Sequence, residues 1–394
     1  MSDSLLAALR PARARLDLDR LAANYLAVSA AAARPLMPVV KADAYGHGAA
    51  RISRHLVALG APMLAVAYTE EGVVLRAAGI RAPIVVLAGF APGQVRALVQ
   101  HDLTPVVSTP STLESALQVG KEASRPFAVH VKVDTGMTRL GFTPSTVGEA
   151  AARLAESGRV QVDGIMTHLA SADEDAEVTR RQLDLFDEAV EELAGRGIRP
   201  RWIHAANSAG LAFLRRSHTL VRPGLILYGV RPRPLAPAID VKPVMSVSAD
   251  IELVKDVAVG TPVSYGGRWV APRRSRIATI PFGYADGVPR TDGMRDRGEL
   301  LVKGRRVPVA GTVCMDLTMA DLTDHPDAGE GDEAILFGDD PPAWDVADRA
   351  GTNAWEVLTS VGTRLPRVYV EGGRVVGVES RYTPRGTDPL RRGR

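Results

Sequence analysis

Thiols and aromatic side chains are scarce in this chain of 394 residues, which has one cysteine, Cys314, and only 5% aromatic residues. A single thiol excludes an intramolecular disulfide and any metal site built from several thiolates. Long apolar runs are also missing. None reaches the length of a membrane span, and the apolar stretch at residues 5–9 is too short for the core of a signal peptide. We therefore expect a cytoplasmic protein of a reducing compartment, with no membrane partner.

Net charge is small, because 48 Lys and Arg residues are nearly balanced by 45 Asp and Glu residues. Much of the positive excess comes from arginines at the C-terminal end of the sequence. This balance gives little support to a nucleic-acid partner. With 46% hydrophobic residues, the chain can fill the core of one barrel-sized domain and of a smaller one.

Short β-rich apolar runs alternate with segments of helical spacing between about residues 37 and 230, which is typical of βα units around a parallel sheet. Helices are predicted at residues 70–78, 111–123 and 178–194. Eight predicted strands favour a closed (β/α)8 barrel of the TIM type, and an open doubly wound sheet is the alternative. The strands are at residues 37–41, 63–67, 84–88, 104–107, 127–133, 162–167, 202–206 and 219–221.

The pattern changes at Pro232, Pro234 and Pro237, after which strand-like alternation and glycine turns dominate. Strands are predicted within residues 244–257, 276–282 and 300–315, with a hairpin turn at 371–374 and one helix at 346–358. The sequence therefore predicts an α/β protein with three parts. They are an N-terminal barrel at residues 12–238, a smaller, mostly β domain at 239–383 and a basic, disordered tail at 384–394.

Polar residues follow the predicted strands at the end where βα barrels place their functional groups. Lys41 ends an apolar strand, where burial would lower its pKa and make it an amine nucleophile for an aldehyde. A rim lysine that reaches solvent is the other interpretation, and Lys41 alone does not decide between them. Ser208 and Gly224 follow strands seven and eight, where barrels often bind a phosphate group. A phosphorylated aldehyde cofactor would explain both features.

Residues 40–48, Val-Lys-Ala-Asp-Ala-Tyr-Gly-His-Gly, resemble the attachment motif for pyridoxal phosphate (PLP) in the alanine racemase family. Other segments resemble that family in order and spacing, from about residue 13 to residue 380. They are residues 132–137 (Lys-Val-Asp-Thr-Gly-Met), 207–210 (Asn-Ser-Ala-Gly), 222–224 (Arg-Pro-Gly), 263–267 (Val-Ser-Tyr-Gly-Gly), 283–287 (Gly-Tyr-Ala-Asp-Gly) and 314–316 (Cys-Met-Asp).

The resemblance implies a PLP-dependent racemase that interconverts L-alanine and D-alanine with two bases. Lys41 would hold the cofactor, and Lys41 and Tyr265 would then act on opposite faces of the PLP-bound substrate. His168 is similar to the residue that tunes the tyrosine, and Arg222 to the residue that faces the pyridine nitrogen. In the family the two bases come from different subunits, so the resemblance also implies a homodimer with shared active sites.

The remaining contacts are implied by the same resemblance. Cofactor contacts would come from Tyr45, Asn207, Ser208, Gly224 and the backbone of Leu225. Trp355 replaces the tyrosine that usually contacts the phosphate, so its contact is a departure from the family pattern. Arg139 and Met315 would bind the substrate carboxylate, Tyr284 and Met315 would narrow the entrance to suit alanine, and Lys132 is similar to a lysine that is carbamylated in many members.

Three alternatives stay open on the sequence. A racemase of broad specificity and a basic amino acid decarboxylase would share the barrel, although Arg222 stands where the decarboxylases usually have glutamate. A non-catalytic PLP carrier would lack the second domain. No metal site is predicted, because His47 and His204 have no carboxylates at ligand spacing and are expected to be structural. The sequence does not decide between D-alanine biosynthesis for peptidoglycan precursors and D-alanine breakdown.

Overall fold

The computed structural model describes residues 10–234 and 238–381, with the backbone alone at Pro92. The described residues form two compact units. The first consists of Ala22–Ala44 and Gly48–Val241. The second consists of the residues up to Leu21, of Tyr45–His47, and of the chain from Lys242 onward.

The first unit is built around a parallel sheet whose six regular strands follow one another in sequence order. Every neighbouring pair is parallel. The strands are Leu64–Val66, Ile84–Val86, Thr104–Val107, Phe127–Lys132, Val160–Met166 and Trp202–His204. The α-helices between and beside them are Ala49–Ala58, Thr69–Ala77, Val95–Gln100, Pro110–Glu122, Pro144–Glu156 and Ala176–Gly195. The alternation of strand and helix predicted from the sequence is confirmed.

The predicted first and eighth barrel strands, residues 37–41 and 219–221, are wrong as regular strands, because they pair only at isolated positions. Leu36 pairs in parallel with Val221, and Val39 pairs in parallel with Ala65. These pairings link residues 36–39 to strand Leu64–Val66 on one side and to Val221 on the other. Proline 38 lies in this segment and has no N–H to donate, so a continuous ladder cannot form. The barrel is confirmed, with its two closing strands reduced to bridges.

The longest helix, Ala176–Gly195, shows why the helices form where they do. Its N-cap, Asp175, accepts hydrogen bonds from the backbone N–H groups of Glu177 (2.9 Å) and Val178 (3.0 Å). Its apolar residues recur every three or four positions, and Phe186 and Leu193 are fully buried. Each such side chain contributes roughly 1.5–3 kcal/mol when it leaves water.

The second unit contains three sheets. The largest has the strand order Arg305–Pro308, Glu299–Val302, Glu333–Phe337, Met245–Asp250, Ala12–Asp17, Arg367–Glu371 and Arg374–Glu379. A three-stranded sheet has the order Thr318–Asp321, Ser275–Ile280 and Leu253–Val257, and Pro262–Val263 pairs with Trp269–Val270. The hairpin turn predicted at residues 371–374 is confirmed by the antiparallel last pair of the large sheet.

The N-terminal strand Ala12–Asp17 belongs to this second unit, so the predicted barrel boundary at residue 12 is wrong at that end. The strand runs antiparallel to Met245–Asp250 and parallel to Arg367–Glu371. Its burial alternates, with Ala14 and Leu16 buried and Arg15 exposed. The alternation is visible in the sequence, but the partner strands lie more than 200 residues away, so their pairing is not. The predicted tail at residues 384–394 lies outside the described residues.

The predicted helix at 346–358 consists of two helices, Ala343–Ala350 and Ala354–Thr359. Gly351 ends the first one in a left-handed conformation, with φ at 74°. Asn353 then starts the second one, since its side chain accepts a hydrogen bond from the backbone N–H of Glu356 at 3.0 Å. The apolar spacing continues across Gly351, so the sequence predicted one helix where the structure has two.

Helix Leu18–Ala32 and the short helix Asp292–Arg297 complete the regular helices of the described chain, beside a left-handed turn at Lys41–Gly46. Within residues 10–234 and 238–381, no helix is both long and apolar enough to cross a membrane.

Candidate active site

Lys41 begins a turn that ordinary residues rarely adopt. Ala42, Asp43 and Ala44 all have positive φ, at 51°, 55° and 54°. A left-handed conformation costs roughly 1–2 kcal/mol for each residue with a side chain, so other contacts must hold the turn. Glu71 supplies one of them, because its carboxylate accepts the backbone N–H of Ala42 at 2.6 Å. Asp43 supplies another through the N–H of Ala49 at 2.8 Å.

Positive charge is concentrated around Lys41. Part of its side chain is exposed, yet desolvation by the surrounding protein lowers the pKa of Lys41, and the charge of Arg139 lowers it further, against an opposing effect of Glu71. Lys132 is buried, and burial together with Arg139 and Arg222 lowers the pKa of Lys132 to about 8, although Asp134 raises it. The four cations Lys41, Lys132, Arg139 and Arg222 therefore form a site suited to a bound anion.

The loop after strand Phe127–Lys132 carries Arg139 back towards Lys132. Asp134 Oδ1 accepts the backbone N–H groups of Gly136 and Thr138, both at 3.0 Å. Gly141 has φ at 132°, and a Cβ there would lie 2.6 Å from the backbone nitrogen of Asp134, so only glycine fits. The loop is closed tightly by backbone constraints rather than by Arg139 itself, which stays available to a ligand.

Arg222 has nearly all its donors bound by the protein. Its Nη1 donates to Nδ1 and to the carbonyl oxygen of His204, at 2.9 and 2.7 Å. Its Nη2 donates to the carbonyl oxygens of Thr167 and Ala205, at 2.7 and 2.9 Å. Of the five N–H groups of a guanidinium, only Nε–H finds no acceptor among the described residues. Burial lowers the pKa of Arg222 to about 9, so the group stays charged at neutral pH and keeps one N–H for a ligand.

His168, two residues after strand Val160–Met166, is affected by the same positive charges. Burial and the positive charges of Arg222 and Arg139 hold the pKa of His168 well below its usual range. His168 is therefore neutral at physiological pH and acts through hydrogen bonds rather than through charge. Gln182 fixes its backbone, with Nε2 donating to the His168 carbonyl oxygen at 3.3 Å.

Three of the predicted phosphate contacts, Ser208, Gly224 and Leu225, lie together in the first unit. Ser208 Oγ accepts the backbone N–H groups of Gly224 at 3.0 Å and Ile226 at 3.3 Å, which leaves its own hydrogen to donate. Leu225 begins a 3-10 turn, so its N–H has no carbonyl one turn earlier to pair with. Asn207 Oδ1 accepts the N–H of Gly210 at 2.8 Å and so folds the loop that carries Ser208.

Tyr265 belongs to the second unit and is 69% exposed. It follows Ser264, which has φ at 62° and whose hydroxyl donates to the carbonyl oxygen of Thr312. The Thr312 hydroxyl in turn donates to the carbonyl oxygen of Tyr265 at 3.3 Å. The loop that presents Tyr265 is thus tied to the segment that leads to Met315.

Tyr284 and Met315 are held by that same segment. The N–H of Tyr284 donates to the carbonyl oxygen of Cys314 at 3.0 Å. A Cβ on Gly283 would lie 2.3 Å from that oxygen, so glycine permits the approach. Tyr284 and Met315 are 40% and 51% exposed. The second unit therefore brings three predicted site residues, Tyr265, Tyr284 and Met315, onto connected loops.

Tyr45 and Trp355 are also assigned to the second unit. Tyr45 is buried, and burial raises the pKa of its phenol, so it keeps its proton at neutral pH. Trp355 packs edge to face against Trp344, with ring centroids 5.7 Å apart. Their predicted phosphate contacts stay predictions.

Glu71 and His130 were not predicted as site residues. His130 precedes Lys132 by two positions on one strand, which places both on the same face of the sheet. The spacing of two residues between His130 and Lys132 could therefore have identified His130 from the sequence. The role of Glu71 gave no such signal, since its acceptor contacts to the turn after Lys41 depend on the fold.

Family models match both parts of the chain. The alanine racemase N-terminal domain matches residues 16–232, and the alanine racemase C-terminal domain matches residues 244–369. The chain belongs to the alanine racemase family. The family resemblance that the sequence motifs carry is thereby confirmed, and with it the expectation of an enzyme.

Relatives of similar length support this membership. An alanine racemase of Sorangium cellulosum is 43% identical over 92% of this chain and 100% of its own length. The crystal structure of alanine racemase from D-cycloserine-producing Streptomyces lavendulae is 39% identical, with a TM-score of 0.86 over 92% of this chain and 98% of its own. An alanine racemase structure from Clostridium difficile 630 is 32% identical, with a TM-score of 0.89 over 95% of this chain and 100% of its own.

Proposed function

We propose that this chain interconverts L-alanine and D-alanine, with PLP held at Lys41. The observation that carries the proposal is the cation cluster of Lys41, Lys132, Arg139 and Arg222, in which the lysines have lowered pKa values. A lowered pKa supplies the neutral amine that an aldehyde requires, and the surplus positive charge suits a phosphate and a carboxylate. Family membership supports alanine as the substrate.

The donors of the first unit fit PLP. The Ser208 hydroxyl and the Leu225 N–H would hold the phosphate, the Nζ of Lys41 would hold the aldehyde carbon, and the Nε–H of Arg222 would meet the pyridine nitrogen. When bound, PLP makes the α-proton of an attached amino acid acidic by withdrawing electrons. A guanidinium that stays charged donates its hydrogen bond without giving up the proton, so the ring nitrogen would stay unprotonated.

Lys41 and Tyr265 would move the proton. Lys41 Nζ would be released when the amine of the substrate replaces it on the aldehyde carbon. As a free amine with a lowered pKa it would then exchange a proton with the α-carbon on one face, and the phenol oxygen of Tyr265 would do so on the other face. His168 is neutral and would orient Tyr265 by a hydrogen bond. Arg139 would hold the substrate carboxylate in a bidentate pair. Tyr284 and Met315 would restrict the side chain of the substrate to a methyl group.

We also propose a homodimer with shared sites. Tyr265 and Met315 are 69% and 51% exposed on the connected loops of the second unit, and Val270 is 51% exposed on strand Trp269–Val270, so these large side chains are left uncovered. A second copy covering these loops would bring Tyr265 to the Lys41 of its partner. A cytoplasmic location stays a prediction that rests on the single cysteine and on the lack of long apolar runs in the sequence.

Chiral chromatography of the purified protein with PLP and L-alanine tests the activity. Equal amounts of the two enantiomers are expected at equilibrium, since enantiomers have equal free energy. Turnover of serine and lysine at comparable rates would favour the broad-specificity racemase instead. Bound PLP without turnover of any amino acid would favour the carrier and contradict the proposal.

Mixing two inactive variants tests the shared sites. Lys41→Ala and Tyr265→Phe each remove one base, yet a mixed dimer keeps one site with both native residues if the bases come from different subunits. Random exchange of subunits would then restore up to about a quarter of the parent activity. No recovery after verified subunit exchange would contradict shared sites.

A further inference from the structure

A pair of buried histidines extends the environment of Arg222 into the core of the first unit. His204 Nε2 lies 2.9 Å from His130 Nδ1, and the two rings meet edge to face with centroids 4.9 Å apart. The other nitrogen of His204, Nδ1, lies 2.9 Å from Arg222 Nη1. A continuous chain therefore runs from His130 through His204 to Arg222.

The protons along this chain follow from the donors. A guanidinium has no acceptor, so His204 Nδ1 must accept the hydrogen bond from Arg222. A neutral His204 then carries its proton on Nε2, and that N–H must find an acceptor because it is buried. His130 Nδ1 is the atom that accepts it. Burial, with the charge of Arg222 adding to it, lowers the pKa of His130 to about 3, which agrees with a neutral ring.

The surrounding strands are shaped to seat the His130 ring. His130 faces Gly164 on the neighbouring strand, where the pairing shifts register after Val129. A Cβ on Gly164 would lie 2.6 Å from three atoms of the imidazole. Glycine inside a strand weakens it, so this pair of residues costs stability that an apolar pair of the same volume would not. The cost makes sense if the imidazole serves as a hydrogen-bond acceptor.

We propose that His130 is a positioning residue, which fixes the orientation and tautomer of His204 and through it aims the Nε–H of Arg222 at the ligand. The inference rests on the proposed function for the identity of that ligand only. Without His130, the buried Nε2–H of His204 loses its acceptor. The imidazole of His204 is then free to rotate, and Arg222 loses an acceptor that fixes the orientation of its planar guanidinium.

Three substitutions and one control separate this role from packing. His130→Phe keeps a ring but removes the acceptor, and Gly164→Ala displaces the imidazole without changing its chemistry. His130→Asn keeps an amide oxygen that can accept. The control is Val129→Ala, which creates a cavity in the same strand. The side chain of Val129 is fully buried and lies on the face opposite to that of His130.

The first readout needs no cofactor. In full-length protein labelled with ¹⁵N-histidine, we expect one His204 species with the proton on Nε2. In His130→Phe and Gly164→Ala we expect mixed or altered His204 species, while Val129→Ala matches the parent. A single Nε2–H species that persists in His130→Phe would overturn the proposal, and so would a proton on Nδ1 in the parent.

The second readout is the dissociation constant of PLP from the same proteins. It should rise about tenfold in His130→Phe, the effect of losing one buried hydrogen-bond acceptor, and recover in part in His130→Asn. Val129→Ala should change it less than twofold. An unchanged constant in His130→Phe would also overturn the proposal. Failure of the parent to bind PLP would instead reject the proposed function, while the His204 spectra still decide the role of His130.

Discussion

The Glu71 carboxylate accepts the backbone N–H of Ala42 at 2.6 Å and thereby holds the left-handed turn that Lys41 begins. Its other oxygen accepts the N–H groups of Ala67 at 2.6 Å and Tyr68 at 3.1 Å. One side chain thus joins the end of strand Leu64–Val66 to the turn after the proposed cofactor lysine. A charged acceptor that receives three N–H donors should stabilise the fold more than an ordinary capping residue does.

Glu71→Ala should therefore lower the free energy of unfolding by about 2–4 kcal/mol, because it leaves backbone donors of a strained turn unpaired. Glu71→Gln should cost less, since an amide oxygen still accepts. Urea unfolding of the full chain measures both. Glu70→Ala is the matched control, as Glu70 is exposed in the same first turn of the helix. Equal losses in Glu70→Ala and Glu71→Ala would contradict this account.

Lys132 is expected to react with carbon dioxide. Only the neutral amine forms a carbamate, and a pKa of about 8 leaves roughly a tenth of Lys132 neutral at pH 7. The new negative charge would stand beside Arg139 and Arg222, where it replaces repulsion by attraction. With ¹³C-bicarbonate, NMR should show a carbamate signal that grows as the pH rises from 7 towards 8.

Lys132→Arg is the control for that signal, because it keeps the positive charge and removes the nucleophile. The carbamate resonance should be missing from this variant. Electron density for a carbamate at Lys132 in a crystal structure would support the same assignment. A parent protein with neither resonance nor density would contradict carbamylation of Lys132.

Asp286 makes the second unit sensitive to acid. Its carboxylate is only 1% exposed and is paired with both Arg10 and Arg364. Burial alone would raise the pKa of Asp286, but hydrogen bonds from the two arginines and from the N–H of Gly283 outweigh it, so the pKa is lowered. A carboxylate with a lowered folded pKa stabilises the fold above its unfolded pKa of about 3.9 and loses that stabilisation as the pH falls towards the folded value.

Arg364→Gln should cost about 2–3 kcal/mol of unfolding free energy at pH 7, because it leaves a buried carboxylate with fewer donors. The loss of stability between pH 4 and pH 2 should become shallower in the variant than in the parent. Arg305→Gln, which breaks an exposed 3.5 Å pair with Asp327, is the control and should change little. Parallel stability curves for the parent and Arg364→Gln below pH 4 would show that Asp286 does not supply the acid sensitivity.

The sequence predicted those parts of the fold that rest on local periodicity. Strand Val160–Met166 and helix Ala176–Gly195 carry their own spacing, so both were predicted close to their observed bounds. Strand Ala12–Asp17 was assigned to the wrong domain, because its pairing with Arg367–Glu371 depends on contacts across most of the chain. The two closing strands of the barrel do not pair regularly, because prolines such as Pro38 have no N–H to donate to a ladder.

The same difference between local and long-range signals explains which site residues were predicted. Motifs predicted Lys41, Arg222 and Ser208 because each stands at or after the end of a predicted strand and in a family pattern. The acceptors that hold these residues in place, Glu71 and His204, were not predicted as such. Their contacts join segments that no motif connects, and a carboxylate or imidazole at such a position looks like an ordinary polar residue in the sequence.

The most direct test of the two-base proposal is the isotope content of the first product formed in heavy water. L-Alanine with protium at the α-carbon is converted for a small fraction of its equilibrium, and the D-alanine is isolated by chiral chromatography and analysed by mass spectrometry. If one of the two bases, Lys41 or Tyr265, removes the proton and the other delivers one, the first D-alanine carries deuterium at the α-carbon, since the second base exchanges with solvent. D-Alanine that retains most of its protium would show that one base moves the same proton between both faces, and would contradict the account.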